Sequence, residues 1–291
     1  MPDLLVENAP AKVNLTLRVL RRRDDGYHEI ESLVAFADFG DRLSFSPGGG
    51  LALKVHGPSA AAAGEGDDNL VLKAARALAA RLPDITLGTF DLDKRLPVAA
   101  GLGGGSADAA AALRLIAKAN HVAHDDPSLH AAARATGADV PVCLDPRPRI
   151  MRGIGEVLSP PLPLPLLPAV LVNPGVAVPT KSVFASLQLS STPPASLDDG
   201  TVAKLRSREE LVRVLALQAN DLEPPAIALA PIIADVLAAL RGLEGCALAR
   251  MSGSGATCFA LFASADEAAV AEKLLAAKNP TWWVKATMLG G

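Results

Sequence analysis

A cluster of glycines followed at once by an alanine-rich run is the feature that most constrains how this chain can fold. Residues 95–115 read RLPVAAGLGGGSADAAAALRL, and glycine occupies four of the five positions 101–105. Glycine permits positive φ angles and lets backbone N–H groups come close to a ligand. Ser106 is a favourable N-cap and strong helix formers follow it, so the sequence predicts a loop that opens directly into a helix. The free N–H groups and the positive dipole end of such a helix favour an anion such as phosphate.

The loop fits neither of two common nucleotide-binding patterns. It is not G-x-x-x-x-G-K-[ST], and it is not the dinucleotide-binding G-x-G-x-x-G that is followed by an acidic residue about 20 positions later. A plain tight turn is the simpler alternative, but a turn needs one or two glycines rather than four. By itself the loop therefore predicts phosphate binding and leaves the phosphate donor open.

Length and proline content predict two domains. A chain of 291 residues is long enough for two cores of ordinary size. Five prolines fall between positions 160 and 168, where they favour an extended segment that carries no regular ladder. We therefore expect one domain over residues 1–157 and a second over residues 158–291. Strands and helices alternate in the second half, which predicts an α+β sandwich.

Composition excludes several classes of function. No apolar stretch reaches the length of about 18 residues that a transmembrane helix needs. Asp3 and Glu7 precede the first apolar run, so no secretory signal is expected and a cytoplasmic location is predicted. The net charge of −3 comes from interspersed signs, which is not typical of nucleic-acid binding. The three cysteines are widely spaced and are expected to be small buried hydrophobes.

Four polar residues have two possible interpretations from their surroundings alone. Lys12 and Asn14 share the polar face of a strand predicted over residues 4–20, and they face either water or a site. His28 follows a hairpin turn at residues 24–26 and is either exposed or functional. Asp139 lies among apolar neighbours in a predicted turn at residues 138–142. Because a buried carboxylate needs a partner, it either caps a local N–H group or faces a site.

Periodicity and capping residues predict the other elements. Asn69 or Asp68 is expected to cap an amphipathic helix over residues 67–81. The helix after the glycine loop is expected to end near residue 119 or 120. Residues 60–66 and 190–200 are expected to be loops. Further helices are predicted over residues 127–136, 207–217, 231–241 and 265–278.

Three motifs, taken in order, identify a known superfamily. They are PAKVNLTLRV at residues 10–19, LPVAAGLGGGSADAAAAL at 96–113 and MSGSGATCF at 251–259. Together they resemble the GHMP kinase superfamily, and similar segments extend over most of the chain. The resemblance implies a two-domain α+β fold with an N-terminal nucleotide-binding domain and a C-terminal ferredoxin-like α/β sandwich. It also implies ATP with Mg²⁺, small-molecule substrates, no nucleic-acid or membrane partner, and a monomer or homodimer.

Site residues follow from the motif positions that this chain shares with the superfamily. Asp139 resembles the general base, and Lys12 resembles the cationic partner that orients the acceptor hydroxyl. Ser106 is placed near the magnesium ion, and Asn69 and Lys94 resemble positions on the adenine side. The residues that would cradle the triphosphate are Pro97, Val98, Ala99, Ala100, Gly101, Leu102, Gly103, Gly104, Gly105, Ser106 and Ala107.

Two other segments indicate the branch of the superfamily. RRRDDGYHEIESL at residues 21–33 and PGVAVPTKSVF at 174–184 resemble kinases of the non-mevalonate isoprenoid route, which phosphorylate the 2-hydroxyl of a cytidine diphosphate-linked polyol. By that resemblance Tyr27, His28 and Phe184 would hold the cytosine ring. The residues that would line the polyol and its diphosphate are Asn14, Gly253 and Ser254.

Two alternatives remain at this point. The chain could be a kinase of the same fold for a mevalonate-like or homoserine-like alcohol, although such substrates have no nucleobase for Tyr27, His28 and Phe184 to hold. It could also be a nucleotide-binding module without catalysis, although such a module has no need of both Lys12 and Asp139. One segment, residues 145–151, departs from the small, glycine- and alanine-rich sequence usual in relatives.

Overall fold

The computed structural model of the chain describes residues 4–189 and 196–290. The chain forms two compact units, each assembled from separate stretches. Unit 1 comprises Met1–Ala11, Gly40–Val98 and Gly103–Pro146, and unit 2 comprises Lys12–Phe39, Ala99–Leu102 and Arg147–Gly291. These units divide the chain differently from the predicted boundary at residue 157, because the first strand, the third strand and the glycine loop each contribute residues to both.

Strands and helices are interspersed along the chain. The strands are β1 (Leu5–Asn14), β2 (Arg18–Arg22), β3 (His28–Pro47), β4 (Ala52–His56), β5 (Gly88–Asp93), β6 (Arg149–Gly153), β7 (Val157–Leu158), β8 (Leu167–Asn173), β9 (Leu248–Met251), β10 (Cys258–Leu261) and β11 (Trp283–Gly290). The helices are α1 (Ala60–Ala63), α2 (Leu70–Ala79), α3 (Gly104–Ala119), α4 (Pro127–Thr136), α5 (Val140–Leu144), α6 (Thr180–Ala185), α7 (Asp199–Val202), α8 (Arg208–Ala216), α9 (Glu223–Leu229), α10 (Ile232–Arg241) and α11 (Ala265–Lys278). The predicted α+β class is confirmed.

Unit 1 packs helices beside a small group of strands. Strand β4 runs parallel to β5, and β5 pairs antiparallel with the second half of β3, where Arg42 lies opposite Asp93. Helix α2 begins at Leu70, and its N-cap is Asn69, one of the two predicted caps, whose side-chain oxygen accepts the Val71 N–H group. Its apolar face packs on α3, whose alanines allow close approach of α2 and α5. This packing places the amino end of α3 at the glycine loop.

Unit 2 contains an antiparallel sheet covered by helices. Its strand order is β3, β11, β8, β10, β9, and the central strand β8 is buried along all seven residues. Helix α11 packs on β8 and β11, and α10 packs on β9 and β10. Val170 and Val172 of β8, Leu237 and Leu240 of α10, and Phe262 belong to one buried hydrophobic cluster. Strands β9 and β10 therefore hold the loop between them, residues 252–257, on a rigid base.

Three local predictions are wrong. Ser106 is not the N-cap of α3: the cap is Gly103, with φ of 62°, and the helix starts two residues before Ser106. A left-handed glycine turns the chain into the helix without any side-chain cap. Part of the predicted loop at residues 60–66 is a single helical turn, α1, because four consecutive alanines favour a helix. The predicted turn at residues 138–142 leads into a short helix, α5.

The predicted loop at residues 190–200 is described only in part. Residues 190–195 lie outside the described residues, and Asp199 starts the short helix α7. Within the two described ranges, no helix combines the length and apolarity that a membrane crossing requires.

Candidate active site

The glycines of the loop serve two different purposes. Ala99, Gly101 and Gly103 have positive φ angles of 52°, 75° and 62°. Gly104 and Gly105 are helical, and there the absence of a side chain makes room for neighbours. A Cβ atom on Gly104 would lie 3.2 Å from Lys94 Nζ, and one on Gly105 would lie 3.3 Å from Leu70 Cδ1. The sequence pattern therefore reflects both backbone conformation and packing.

The amino end of α3 carries no side-chain cap. Gly103 has no side chain to offer, and the first turn of the helix contains no acidic residue. The first N–H groups of any α-helix have no partner within the helix. The Ala107 N–H group makes the first hydrogen bond within the helix, to Gly103 O at 2.9 Å. The backbone N–H groups of residues 104–106, together with the positive end of the helix dipole, suit an anion.

The stretch of the loop that belongs to unit 2 is fixed through its carbonyl groups. Three consecutive carbonyl oxygens accept hydrogen bonds from other segments of that unit. The pairs are Thr257 N to Ala100 O at 3.1 Å, Ser252 Oγ to Gly101 O at 2.9 Å, and Lys12 N to Leu102 O at 2.8 Å. The loop conformation is thus held by β1 and by the late glycine loop, residues 252–257, before any ligand binds.

The polar face of β1 does not face water. Lys12 and Asn14 are each only 3% exposed, which excludes the solvent-facing interpretation. Asn14 donates from its backbone N–H group to Ser252 Oγ at 3.1 Å and from Nδ2 to Ser32 Oγ at 2.7 Å. A Cβ atom on Gly253 would lie 3.4 Å from Asn14 Oδ1. The structure therefore brings together Asn14 and Gly253, two of the residues that the resemblance assigns to the polyol and its diphosphate.

Ser254 and the late glycine loop are tied to the start of α6. Ser254 Oγ and Thr180 Oγ1 lie 2.8 Å apart, within hydrogen-bonding distance. Asn220 Nδ2 donates to the carbonyl oxygens of Met251 and Gly253, both at 2.8 Å. The first contact joins Ser254 to α6, the helix that also carries Phe184, and the Asn220 bonds join Met251 and Gly253 to the segment before α9.

An aromatic pair links α6 to the start of β3. The rings of His28 and Phe184 stack with centroids 4.9 Å apart and an angle of 26° between their planes. Burial, together with the nearby Arg22 guanidinium, holds the pKa of His28 below its ordinary value. Tyr27, by contrast, is 60% exposed in the turn before β3. The structure therefore brings His28 together with Phe184, a second residue that the resemblance assigns to the cytosine ring.

The two residues predicted on the adenine side both lie in unit 1, and both have their side-chain polar groups engaged. Asn69 accepts the Val71 N–H group at 3.0 Å and donates from Nδ2 to Gly64 O at 2.9 Å. Lys94 is 3% exposed, and its Nζ lies 2.6 Å from Asp41 Oδ2 and 2.5 Å from Asp108 Oδ2.

Burial and neighbouring charges shift the pKa values of Asp108 and Lys94. Burial, assisted by the charge of Asp41 and opposed by Lys94, raises the pKa of Asp108 to about 8. For Lys94, burial alone would lower the pKa of the ammonium, but Asp108 and Asp41 outweigh it and raise that pKa. Among the described residues, Asp108 Oδ1 is buried without a hydrogen-bond partner.

Asp139 stands at the N-cap position of α5, yet its side chain makes no capping hydrogen bond. The Asp139 carboxylate therefore does not cap α5. The other end of α5 is fixed by Arg114 of α3, which donates from Nη1 to Cys143 O at 2.8 Å. The same guanidinium donates to Glu7 Oε2 at 3.1 Å and to Asn8 O at 2.9 Å. Unit 1 thus presents Asp139 on a short helix that is anchored at its far end.

Sequence reasoning missed several residues that shape the site: Ser32, Asp41, Asp108, Thr180, Asn220 and Ser252. Asp108 carried a usable signal, since it is the single charged residue in an alanine run that must be buried. The others had no local signal because their partners are distant in sequence.

The described residues contain no group of three or more His, Cys, Asp or Glu side chains that could hold a metal ion. Mg²⁺ in phosphotransferases commonly keeps several waters and takes one or two protein ligands besides the substrate phosphates. The half-buried Ser106 hydroxyl, in the first turn of α3, has the oxygen chemistry of such a ligand.

Two family models match the chain. The GHMP kinases N terminal domain matches residues 69–145, and the GHMP kinases C terminal domain matches residues 202–280. Both glycine loops described above fall within these two matches. The alanine-rich helix α3 and Asp139 lie in the first of them.

Relatives similar over almost the whole length carry one enzyme name. The 4-diphosphocytidyl-2-C-methyl-D-erythritol kinase of Rhodopseudomonas palustris strain ATCC BAA-98 / CGA009 is 56% identical, with 98% of this chain and 97% of the relative covered. The enzyme of the same name from Methylobacterium radiotolerans is 57% identical, with 98% and 99% covered.

Solved structures give the same result. A crystal structure of 4-(cytidine 5'-diphospho)-2C-methyl-D-erythritol kinase is 36% identical, with a TM-score of 0.81 over 99% of this chain and 100% of that one. A homoserine kinase from Cytophaga hutchinsonii, 21% identical with a TM-score of 0.72 over 99% of this chain and 95% of its own, shares the fold. The chain belongs to the GHMP kinase family, and its sequence groups with the 4-diphosphocytidyl-2-C-methyl-D-erythritol kinases of that family.

Proposed function

We propose that this chain transfers the γ-phosphate of ATP to the 2-hydroxyl of 4-diphosphocytidyl-2-C-methyl-D-erythritol, giving the 2-phosphate and ADP in the non-mevalonate route to isoprenoid precursors. The observation that carries the phosphotransfer is the uncapped amino end of α3, which a preformed glycine loop enters. The relatives that are more than half identical supply the choice of acceptor.

The triphosphate binds at the glycine loop in this proposal. Backbone N–H groups of the loop and of the first turn of α3 donate to phosphate oxygens, and the helix dipole adds a favourable field. Because Ala100, Gly101 and Leu102 already have their carbonyl oxygens bonded, those oxygens are not left to repel the anion. Most of the rate enhancement in phosphoryl transfer comes from such positioning and charge stabilisation.

Lys12 and Asp139 act on the acceptor hydroxyl. Lys12 orients the hydroxyl oxygen, and Asp139 accepts its proton while that oxygen forms a bond to the γ-phosphorus. The bond between the γ-phosphorus and the β–γ bridging oxygen breaks, and ADP leaves with the electron pair.

Recognition of the cytosine ring is assigned to His28, Phe184 and Tyr27. A stacked pair offers an aromatic face, and a neutral imidazole offers both a donor and an acceptor for the edge of a base. The lowered pKa of His28 favours that neutral form at pH 7. Asn14, Gly253 and Ser254 line the polyol and its diphosphate in this assignment.

Magnesium fits the residues present as an ion held mainly by the nucleotide. The Ser106 hydroxyl supplies the protein oxygen assigned to it, and bound Mg²⁺ would neutralise charge on the β- and γ-phosphates.

Turnover is tested by measuring ADP release with ATP, Mg²⁺ and a panel of acceptors: the cytidyl substrate, free methylerythritol, homoserine and mevalonate. Release with the cytidyl substrate alone supports the proposal. Comparable ADP release with homoserine or mevalonate contradicts the choice of acceptor. ATP binding with no ADP release in the presence of any of the four acceptors favours a non-catalytic module.

A further inference from the structure

A buried ion cluster lies under the first residue of α3. The Lys94 ammonium is held between Asp41 and Asp108, and the three side chains are exposed by 3%, 0% and 4% respectively. Nζ would be 3.2 Å from a Cβ atom on Gly104, so the ammonium packs directly beneath the residue that begins α3. Two of its three N–H donors are therefore committed to carboxylates inside unit 1.

The same cluster also fixes the segment that leads into the glycine loop. Asp41 Oδ1 accepts the N–H groups of Arg95 at 2.6 Å and Leu96 at 2.8 Å, while its other oxygen accepts from Lys94. A Cβ atom on Gly104 would lie 3.5 Å from Leu96 Cδ1. Arg95 and Leu96, which precede the loop, and Gly104, which follows it, therefore all contact the Asp41 and Lys94 side chains or lie directly beside them.

The backbone of Lys94 is held as firmly as its side chain. Its N–H group donates to His56 O at 2.8 Å, and its carbonyl oxygen accepts the Ser59 N–H group at 3.0 Å. Gly57 allows this contact, since a Cβ atom there would lie 2.7 Å from Lys94 O. The backbone of Lys94 is therefore fixed, and its ammonium group holds α3 through the contact with Asp108.

We propose that Asp41, Lys94 and Asp108 are positioning residues for the triphosphate, because together they fix the two ends of the glycine loop relative to each other. The inference rests on the proposed function, since it takes the triphosphate site to be at this loop. Lys94 then acts by holding α3 and not by contacting the adenine ring. Asp108 supplies the attachment on the helix, and Asp41 supplies the attachment on the entering segment.

The test separates the phosphate part of the ligand from the base. Displacement of a fluorescent ATP analogue gives dissociation constants for Mg-ATP, Mg-tripolyphosphate and adenosine, with no acceptor present. The damaging variants are Asp41→Asn and Asp108→Ala. An amide at position 41 can accept at one atom only, so either Lys94 or the two backbone N–H groups lose an acceptor. Asp108→Asn is the conservative variant, because its amide oxygen can still accept from Lys94.

Asp91→Asn is the matched control. It replaces a half-exposed carboxylate of β5, the strand that ends just before Lys94, whose side-chain contact with His56 Nε2, at 2.7 Å, lies outside the Asp41, Lys94 and Asp108 cluster. Circular dichroism and melting temperature establish that each variant is folded. If Asp41→Asn does not fold, the comparison of Asp108→Ala with Asp108→Asn carries the test.

We expect the damaging variants to raise the dissociation constants of Mg-ATP and Mg-tripolyphosphate by a common factor of about tenfold, as for the loss of one charge-assisted hydrogen bond. The dissociation constant of adenosine should change by less than about twofold, because these residues do not contact the base. Asp108→Asn should recover most of the loss. A lower melting temperature with unchanged affinities would overturn the proposal, and so would a loss of adenosine affinity, which would place Lys94 at the base.

These outcomes are independent of the acceptor. A chain that binds nucleotide as described but releases no ADP with the cytidyl substrate would fail the proposed function and leave the positioning role standing. Normal turnover together with unchanged tripolyphosphate affinity in both damaging variants would overturn the positioning role alone.

Discussion

Ser252 donates its hydroxyl to the carbonyl oxygen of Gly101 over 2.9 Å, which joins the late glycine loop to the first one. The same hydroxyl oxygen accepts the backbone N–H group of Asn14 at 3.1 Å. Three motifs that lie far apart in the sequence therefore meet at a single oxygen atom inside unit 2. This atom fixes the loop before any nucleotide arrives.

Ser252→Ala should weaken nucleotide binding as well as the fold. The change leaves the Gly101 carbonyl and the Asn14 N–H group without their partner in a buried setting, which costs about 1–3 kcal/mol. We expect the KM for ATP to rise about tenfold while the KM for the acceptor changes less, because the loop loses one of three anchors. Ser186→Ala, at the exposed end of α6, is the control. A lower melting temperature with unchanged KM for ATP would contradict this account.

Gly101→Ala should abolish activity for two separable reasons. Its φ of 75° disfavours any side chain, and a Cβ atom would lie 2.4 Å from Ser252 O. Gly49 has the same φ of 75° but nothing within 4 Å of its Cβ position, so Gly49→Ala measures the effect of φ alone. That control should cost about 1–2 kcal/mol of unfolding free energy and leave kcat/KM unchanged. Similar activities in both variants would show that the close approach at Gly101 is unimportant.

Phe184→Leu should impair binding of the cytidyl substrate selectively. The stacked pair with His28 contributes about 0.5–1.5 kcal/mol beyond area burial, so the KM for that substrate should rise roughly threefold to tenfold. The KM for ATP should stay constant. Phe39→Leu, which removes a ring packed on Trp283, is the matched control. Equal effects of both variants on the substrate KM would argue against a role of the aromatic pair in recognition.

The protonation of His28 should set the acid limit of substrate binding. Burial and Arg22 lower its pKa, which favours the neutral ring, so protonation occurs only below the ordinary value of about 6.5. The KM for the cytidyl substrate should therefore be constant from pH 8 down to about 6.5 and should rise at lower pH. In His28→Gln this acid rise should disappear. An unchanged pH profile in the variant would assign the rise to another group.

Local chemistry explains which elements were predictable. Helix α4 begins at Pro127 and ends at Thr136, as predicted, because a capping aspartate and the proline mark its start. Asn69 was likewise recognisable as the cap of α2. The start of α3 was misplaced because a left-handed glycine replaces the side-chain cap, so the predicted N-cap, Ser106, lies three residues after the observed one, Gly103.

Long-range contacts explain what could not be predicted. The alternation in β1 leaves open whether Lys12 and Asn14 face water or a site, whereas in the structure every residue from 11 to 17 is buried. Nothing near Lys94 in the sequence indicates that Asp41 and Asp108 enclose its ammonium. Motif resemblance therefore indicates candidate site residues, and their partners are known only from the fold.

The identity of the phosphorylated product tests the central claim most directly. Purified protein is incubated with ATP, Mg²⁺ and 4-diphosphocytidyl-2-C-methyl-D-erythritol, and ³¹P NMR is used to locate the new phosphate while ADP is quantified. The account predicts a phosphomonoester on the 2-hydroxyl, formed in equal amount with ADP, and its loss in Asp139→Asn with ATP affinity retained. A phosphate on another hydroxyl, no new phosphomonoester, or full turnover in Asp139→Asn would contradict the account.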